Sequence, residues 1–363
     1  MFRQMVSALV ALYCCVVSAA QTSVSVETVV ASPYPSNGAA VSGEGRIFLS
    51  LPHILSSQSF SLGEYKAGEV RPYPGGRWNA STGTTKNRFS QVNAVRIEPD
   101  HPSTLWVVDC GTGMPGETKL VAFDLKADRM SRVYRLNPNQ APLHSCLNDV
   151  RVLGRHAFLT ESGTGALIVI DLDTGSVRRL LSASSKTKAP HHPALVIDGA
   201  EVLDPSGVPP VTHADDIEIT PDHQWLYFSV PFGGTLWKVR IADLLNTALS
   251  EEELDQRVFS DGPIIPIGGF LMLSDGSLLL GDLEHHALVR RFAGGKMETV
   301  FTSPLLQWPD AMAAGPDGKL YEAQPQAGSA PGNHHGVNAT KPPYRVLRFT
   351  LPPDLASLMY RFQ

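Results

Sequence analysis

Residues 215–233 read DDIEITPDHQWLYFSVPFG. Ile217 and Ile219 alternate with polar residues, a Pro221-Asp222 turn follows, and an apolar run from Trp225 to Val230 comes next. Alternation, turn and apolar run are the marks of an antiparallel strand pair. Two acids, Asp215 and Asp216, stand at the head of the first strand. A charge beside a buried strand is costly unless it is hydrated, paired or bound to a cation.

The same unit recurs. It opens at Asn37 (NGAAVSGEGRIFLSLPH), Asn93 (NAVRIEPDHPSTLWVVDCG) and Asn148 (NDVRVLGRHAFLTESG). After the copy at Asp215 it returns at Gly268 (GGFLMLSDGSLLLGDLEH) and Asp310 (DAMAAGPDGKLYEAQPQ). Third strands follow most copies (KLVAFDL, ALIVIDL, TLWKVRI, ALVRRFA, YRVLRFTL), and outer strands such as SRVYRL, VRRLLS and METVF follow several. Four strands per unit in six units predict an all-β, six-bladed propeller. The rival is a β-sandwich, which lacks the recurring head-turn-strand unit. One helix is expected, ADLLNTALSEEELDQ, between blades.

The chain has 363 residues and a formal net charge of −5, with no basic run, so nucleic acid is not an expected partner. Residues 1–20 read as a secretory signal: Arg3, the apolar stretch VSALVALYCCVV, then Ser18, Ala19 and Ala20. The stretch is too short to span a bilayer. The expected mature protein is one propeller domain over 21–363, secreted (or periplasmic in a bacterium) and free of the membrane. It retains Cys110 and Cys146, which in an oxidising compartment should pair. In a propeller they fall on one face of neighbouring blades, within bridging reach. Asn79 and Asn338 head glycosylation sequons that would matter in a eukaryotic source.

Propeller geometry puts the first strand of each blade on the central channel. The heads Asn37, Asn93, Asn148, Asp215, Gly268 and Asp310 should then ring one mouth. A wider ring is expected from His53, Asp109, Glu161, Phe232, Asp282 and Glu322, with His144 and His213 beside it. Such oxygen-rich heads suit a polar ligand or a hard cation such as calcium, and they equally suit local turn chemistry. The expected ligand contacts are Asn37, Asn93, Asn148, Asp215, Asp310 and Phe232. The metal set would be Asn148, Asp215 and Asp310. Proton transfer would fall to Asp215, Asp310 or His213. Asp216, where other units carry mostly small residues, reads as rim chemistry. The pairs His191-His192, His285-His286 and His334-His335 match no zinc spacing. The loop AQPQAGSAPGNHHGVNATKPPY could cover the channel.

GRIFLSLPH, PYP, VRIEPDHPSTLWVVDCG, KLVAFDL, SGTGALIVIDLDTG, TPDHQWLYFS, LLLGDLEHHALVRR and PYRVLRF, in that order from Asn37 to Phe349, resemble the yellow/major royal jelly protein family. The resemblance implies a secreted six-bladed propeller with a pigment-related or small-molecule-binding role. An amine, a catechol or a sugar-derived molecule would sit at the channel mouth. It also admits a dopachrome-tautomerase-like enzyme. A more distant resemblance to the gluconolactonase propellers implies a calcium-dependent lactonase. That family's ring glutamate is absent here: Asn37 takes its place, and Glu44 falls in a turn.

Overall fold

The structure, a computed structural model, describes residues 24–359 except 54, 56–57 and 81–86. The expected signal segment, residues 1–20 with Cys14 and Cys15, lies outside the described residues. Among the described residues six four-stranded antiparallel sheets are present, five of them in simple sequence order from the axis outward. The innermost strands are Gly38–Val41, Val92–Arg96, Leu147–Leu153, Ile217–Ile219, Ile267–Met272 and Met312–Ala314. The predicted propeller is what the chain forms.

Each blade is buried between its neighbours, so its strands are apolar on both faces. The second blade shows how alternation divides the work. Val95, Leu105, Val107, Val121 and Phe123 pack toward the first blade. Ala94, Trp106, Val108, Leu120 and Ala122 pack toward the third. A one-residue slip would exchange the two sets.

The last blade is completed by the other end of the chain. Ser25–Ser32 pairs antiparallel with Tyr344–Thr350, from Ser25 opposite Thr350 to Ser32 opposite Tyr344. This strand closes the ring, and it is not among the strands the sequence predicts. A second closure was expected: Cys110 and Cys146 form a disulfide, with Cα atoms 4.4 Å apart.

The expected helix is two short ones, Ile241–Leu245 and Glu251–Asp255. Asn246 interrupts it by accepting a hydrogen bond from the Ala248 N–H at 2.9 Å, a local turn that competes with helix. Ser250 then starts the second helix through a capping box with Glu253. Among the described residues no helix is long and apolar enough to cross a membrane. Asn79 is a clamp between backbone segments. Its amide nitrogen donates to the carbonyls of Leu62, Tyr73 and Pro74, and its oxygen accepts from Ser61 and Leu62. A glycan there would break that set; Asn338 is exposed.

Candidate functional site

Five of the six heads line one narrow cavity on the axis, of about 20 Å³: Asn37, Asn148, Asp215, Gly268 and Asp310. The sixth, Asn93, is turned aside and buried. Its amide nitrogen donates to the Asn148 carbonyl at 3.3 Å, as that of Asn37 donates to the Asn93 carbonyl at 3.4 Å. Asn148 donates to the Ser162 hydroxyl at 3.2 Å. Asn37 and Asn93 therefore link blade to blade and Asn148 bonds within its own blade, the local role open to them from the start.

The acids differ. Asp149, Asp215, Asp216 and Asp310 all face the axial cavity. Asp149 is neutralised by Arg151 at 2.7 Å, and Arg151 also reaches Glu218 at 2.9 Å. Among the described residues no Lys, Arg or His pairs with Asp215, Asp216 or Asp310. Burial, then the charges of Asp216, Asp310 and Asp149, push Asp215 well above the usual carboxylate range. Burial, then Asp216 and Asp149, does the same to Asp310, against hydrogen bonds from the Ala311 amide and the Trp308 side chain. Asp216 is pushed up to about 7 by burial, although the Ser229 hydroxyl donates to it at 2.7 Å. Asp215 and Asp310 keep partial solvent access down the channel; their depth within the disc is what burdens their charge. Asp216 is thus a member of the cluster, and its assignment to the rim is corrected. Asp149 and Asp216 share the position one after the head, a signal that could have found both.

Glycines set the place of Asp310. A β-carbon on Gly268 would run into the Pro309 carbonyl oxygen; one on Gly281 would stand 2.5 Å from it. A β-carbon on Gly269 would stand 2.8 Å from the Asp310 carbonyl oxygen. The fifth head is glycine because the backbone of the sixth lies against it.

Acids near the ends of second strands mostly clamp the adjacent loops. Asp109 accepts from the Ser90 and Gln91 amides and pairs with Lys119 at 2.6 Å. Glu161 accepts from Cys146 N–H and pairs with Arg179 at 2.6 Å. Asp282 accepts from Glu284 and His285 amides. Glu322 is the exception. It is fully buried, its Oε1 has no partner, and Gln324 alone donates to its other oxygen, at 2.9 Å. The loop before Asp310 carries Pro309, which has no N–H to give, after Trp308 at φ 71°. Burial holds the Glu322 carboxyl well above its ordinary range, and Asp310 adds to this.

Beside the axis lies a larger pocket of about 190 Å³. One wall is the hairpin Val196–Ile197 and Ala200–Glu201, from the long connection between the third and fourth blades. The other is the Pro/Gly loop before the last strand, which is ordered: Gln326 bonds the Lys341 backbone through both side-chain atoms, and His335 N–H donates to Leu203. Trp308 lines this pocket, and its side chain favours the ionised form of Asp310, so it stands between the two spaces. The sequence reading missed it, although a Trp-Pro-Asp run at a blade head is a visible signal.

Three expectations are not met. Phe232 stands off the axis, in an apolar cluster with Leu195, Val202 and Leu283, its ring 5.2 Å from His192 and 6.3 Å from Trp308. His213 accepts from Ala189 N–H at 2.9 Å; burial, then nearby Lys188, lowers its pKa. It does not line the acid cluster. The wider ring holds Ser50 and Ser229 in place of His53 and Phe232, because the second strands end there. Asn148, Asp215 and Asp310, the expected calcium set, share the axial cavity; among the described residues no group of three or more His, Cys, Asp or Glu is placed to hold a metal ion.

A family model described as major royal jelly protein matches residues 92–313, well over half of the chain. The chain belongs to the major royal jelly protein family. No curated protein matches it in sequence. Solved structures similar to this royal jelly family propeller include a gluconolactonase from Xanthomonas campestris, at 12% identity, covering 91% of this chain and 90% of that one, with a TM-score of 0.54. A PQQ-bound aldose sugar dehydrogenase from Streptomyces coelicolor is similar at 12% identity, 91% and 98% coverage, and a TM-score of 0.51. A catalytically inactive virginiamycin B lyase from Staphylococcus aureus, with quinupristin, is similar at 12% identity, 91% and 100% coverage, and a TM-score of 0.51. At such identity these likenesses establish the fold alone.

Proposed function

We propose that this royal jelly family propeller is a secreted binding protein that takes a small protonated amine at its channel mouth. The observation that carries this reading is the cluster of Asp215, Asp216 and Asp310, carboxylates deep in the disc, Asp216 buried and the other two half-buried, with no basic partner of their own among the described residues. Unpaired acids at depth are costly, and an ammonium group supplies the missing charge. The axial space has room for a head group and little more. An aromatic body finds a platform in Trp308, which lines the side pocket next to Asp310. A cation beside an aromatic face gains further attraction. Secretion rests on the leader-like residues 1–20 and on the Cys110–Cys146 disulfide, which belongs to oxidising compartments.

The test compares tyramine with tyrosol, the same ring and chain carrying a neutral alcohol, by isothermal titration calorimetry. The amine should bind at least about tenfold more tightly, since each 1.4 kcal/mol is a factor of ten. Equal affinities would contradict the reading. A parallel assay of dopachrome and lactone turnover separates binding from catalysis, and turnover lost in Asp310→Asn would make the protein an enzyme.

A further inference from the structure

The channel has a second end. The first strands finish at Arg96, Leu153, Ile219, Met272 and Ala314, on the face opposite the acid cluster. A cavity of about 590 Å³ opens there, within the roughly 300–1,000 Å³ typical of small-molecule sites. Its walls carry apolar side chains, Ile97, Val152, Ile219, Leu271 and Met359, interspersed with polar ones, Asp100, Thr220 and His223 among them. Its inner end is polar, built from Arg96, Glu98, Arg151 and Glu218.

Arg151 separates the two compartments. It lines both cavities and is 5% exposed, held by Asp149 on one side and Glu218 on the other. Arg96 is the under-used member. Its Nη1 donates to the Met312 carbonyl at 3.3 Å. Its Nη2 stands 3.7 Å from Glu218, too far for a hydrogen bond, and its buried Nε is ion-paired with Glu98 at 3.4 Å but makes no hydrogen bond. Glu218 Oε1 is already taken by Arg151. Donors without acceptors cost stability when buried. Two arginines against two glutamates make the inner end neutral, with Asp149 adding negative charge behind it, so an anionic head gains nothing there.

We infer that this far-end cavity is a second binding site, for an uncharged amphipathic molecule whose carbonyl oxygen accepts from Arg96 while its apolar body lies against the channel walls. The site is chemically the reverse of the acid cluster, which offers acceptors to a cation. It stands independently of the amine reading.

The test uses Prodan, an uncharged naphthyl ketone whose emission moves to the blue when it leaves water. The full chain should bind it saturably at one site, and excess tyramine should not displace it. Anilinonaphthalenesulfonate, which carries an anionic head, should bind about tenfold more weakly or worse. Ala314→Trp, which fills the cavity, should abolish the blue shift. Ser274→Trp, at the exposed rim and therefore safe for folding, should weaken binding about tenfold. Saturable binding that survives both substitutions, preference for the sulfonate, displacement by tyramine, or absence of saturable binding would each overturn the proposal.

Discussion

Gly268 lies directly beneath the carbonyl of Pro309, and any β-carbon at 268 would collide with it. The contact joins the fifth blade to the sixth and sets how far Asp310 leans over the axis. Gly268→Ala must push the Pro309-Asp310 backbone away, because the obstacle is main chain and not a flexible tip. The variant should lose about 1–3 kcal/mol in urea unfolding, the usual cost of overpacking. It should also weaken tyramine binding. Unchanged stability and binding would show that Asp310 is placed by something else.

Amine binding should be linked to protons. The Asp216 carboxyl titrates near 7, and burial and mutual repulsion raise Asp215 and Asp310 as well. A bound ammonium favours the ionised forms, so binding releases protons. Affinity should rise with pH from about 5 to about 8, by up to roughly tenfold per pH unit for each proton released. Calorimetry in buffers of different ionisation enthalpy measures the number directly, and none released would contradict it.

The same acids set the pH dependence of stability without ligand. Asp216 binds its proton more tightly folded than unfolded, because its value is raised from 3.8 to about 7. Its contribution is therefore full below pH 3.8 and is lost as pH rises through about 7. Asp216→Asn removes that loss. Between about pH 4 and 8 the variant should fall less in stability than the wild type, by at most on the order of 2–4 kcal/mol. Parallel curves would place the unfavourable charge elsewhere.

His286 pins the hairpin that walls the side pocket. Its Nε2 meets Asp198 at 2.9 Å and its Nδ1 meets the Leu306 carbonyl at 2.7 Å. Burial lowers its pKa, but these two partners outweigh it, and the net shift is upward from 6.5. The pin is thus fully present below 6.5 and is lost as pH rises through the folded value. Hydrogen exchange of residues 196–201, corrected for intrinsic rates, should quicken above that point. His286→Gln should remove the pH step; a step that persists would refute the assignment.

The disulfide ties the end of a strand in the second blade to the start of the third, across 36 residues. Replacing Cys110 and Cys146 by serine should cost about 3–4 kcal/mol by loop-closure entropy. Urea unfolding under non-reducing conditions checks this, and equal midpoints would contradict it.

The propeller was legible because each blade repeats a head, a turn and a buried strand pair, and apolar alternation is a local signal. The closing strand Ser25–Ser32 was not legible. Its partner Tyr344–Thr350 lies at the other end of the chain, and only its last residues are buried. The acid cluster was half legible. Asp215 and Asp310 stood at heads, but Asp216 occupies a position filled mostly by small residues elsewhere, and nothing local tells that its carboxylate turns inward to Ser229. Phe232 misled because an aromatic after a second strand reads as a channel residue, whereas the hairpin connection covers it. Trp308 is not legible because its importance lies in its influence on Asp310 and in a pocket wall built by two distant loops.

The central claim is that the buried axial carboxylates hold the positive charge of the ligand. Calorimetric titration of tyramine into the wild type and into Asp215→Asn and Asp310→Asn tests it most directly. These near-isosteric changes keep the packing and remove the charge. The account predicts saturable binding in the wild type and at least about a tenfold loss in each variant, with thermal stability maintained. Undiminished tyramine affinity in folded Asp215→Asn and Asp310→Asn proteins would contradict it.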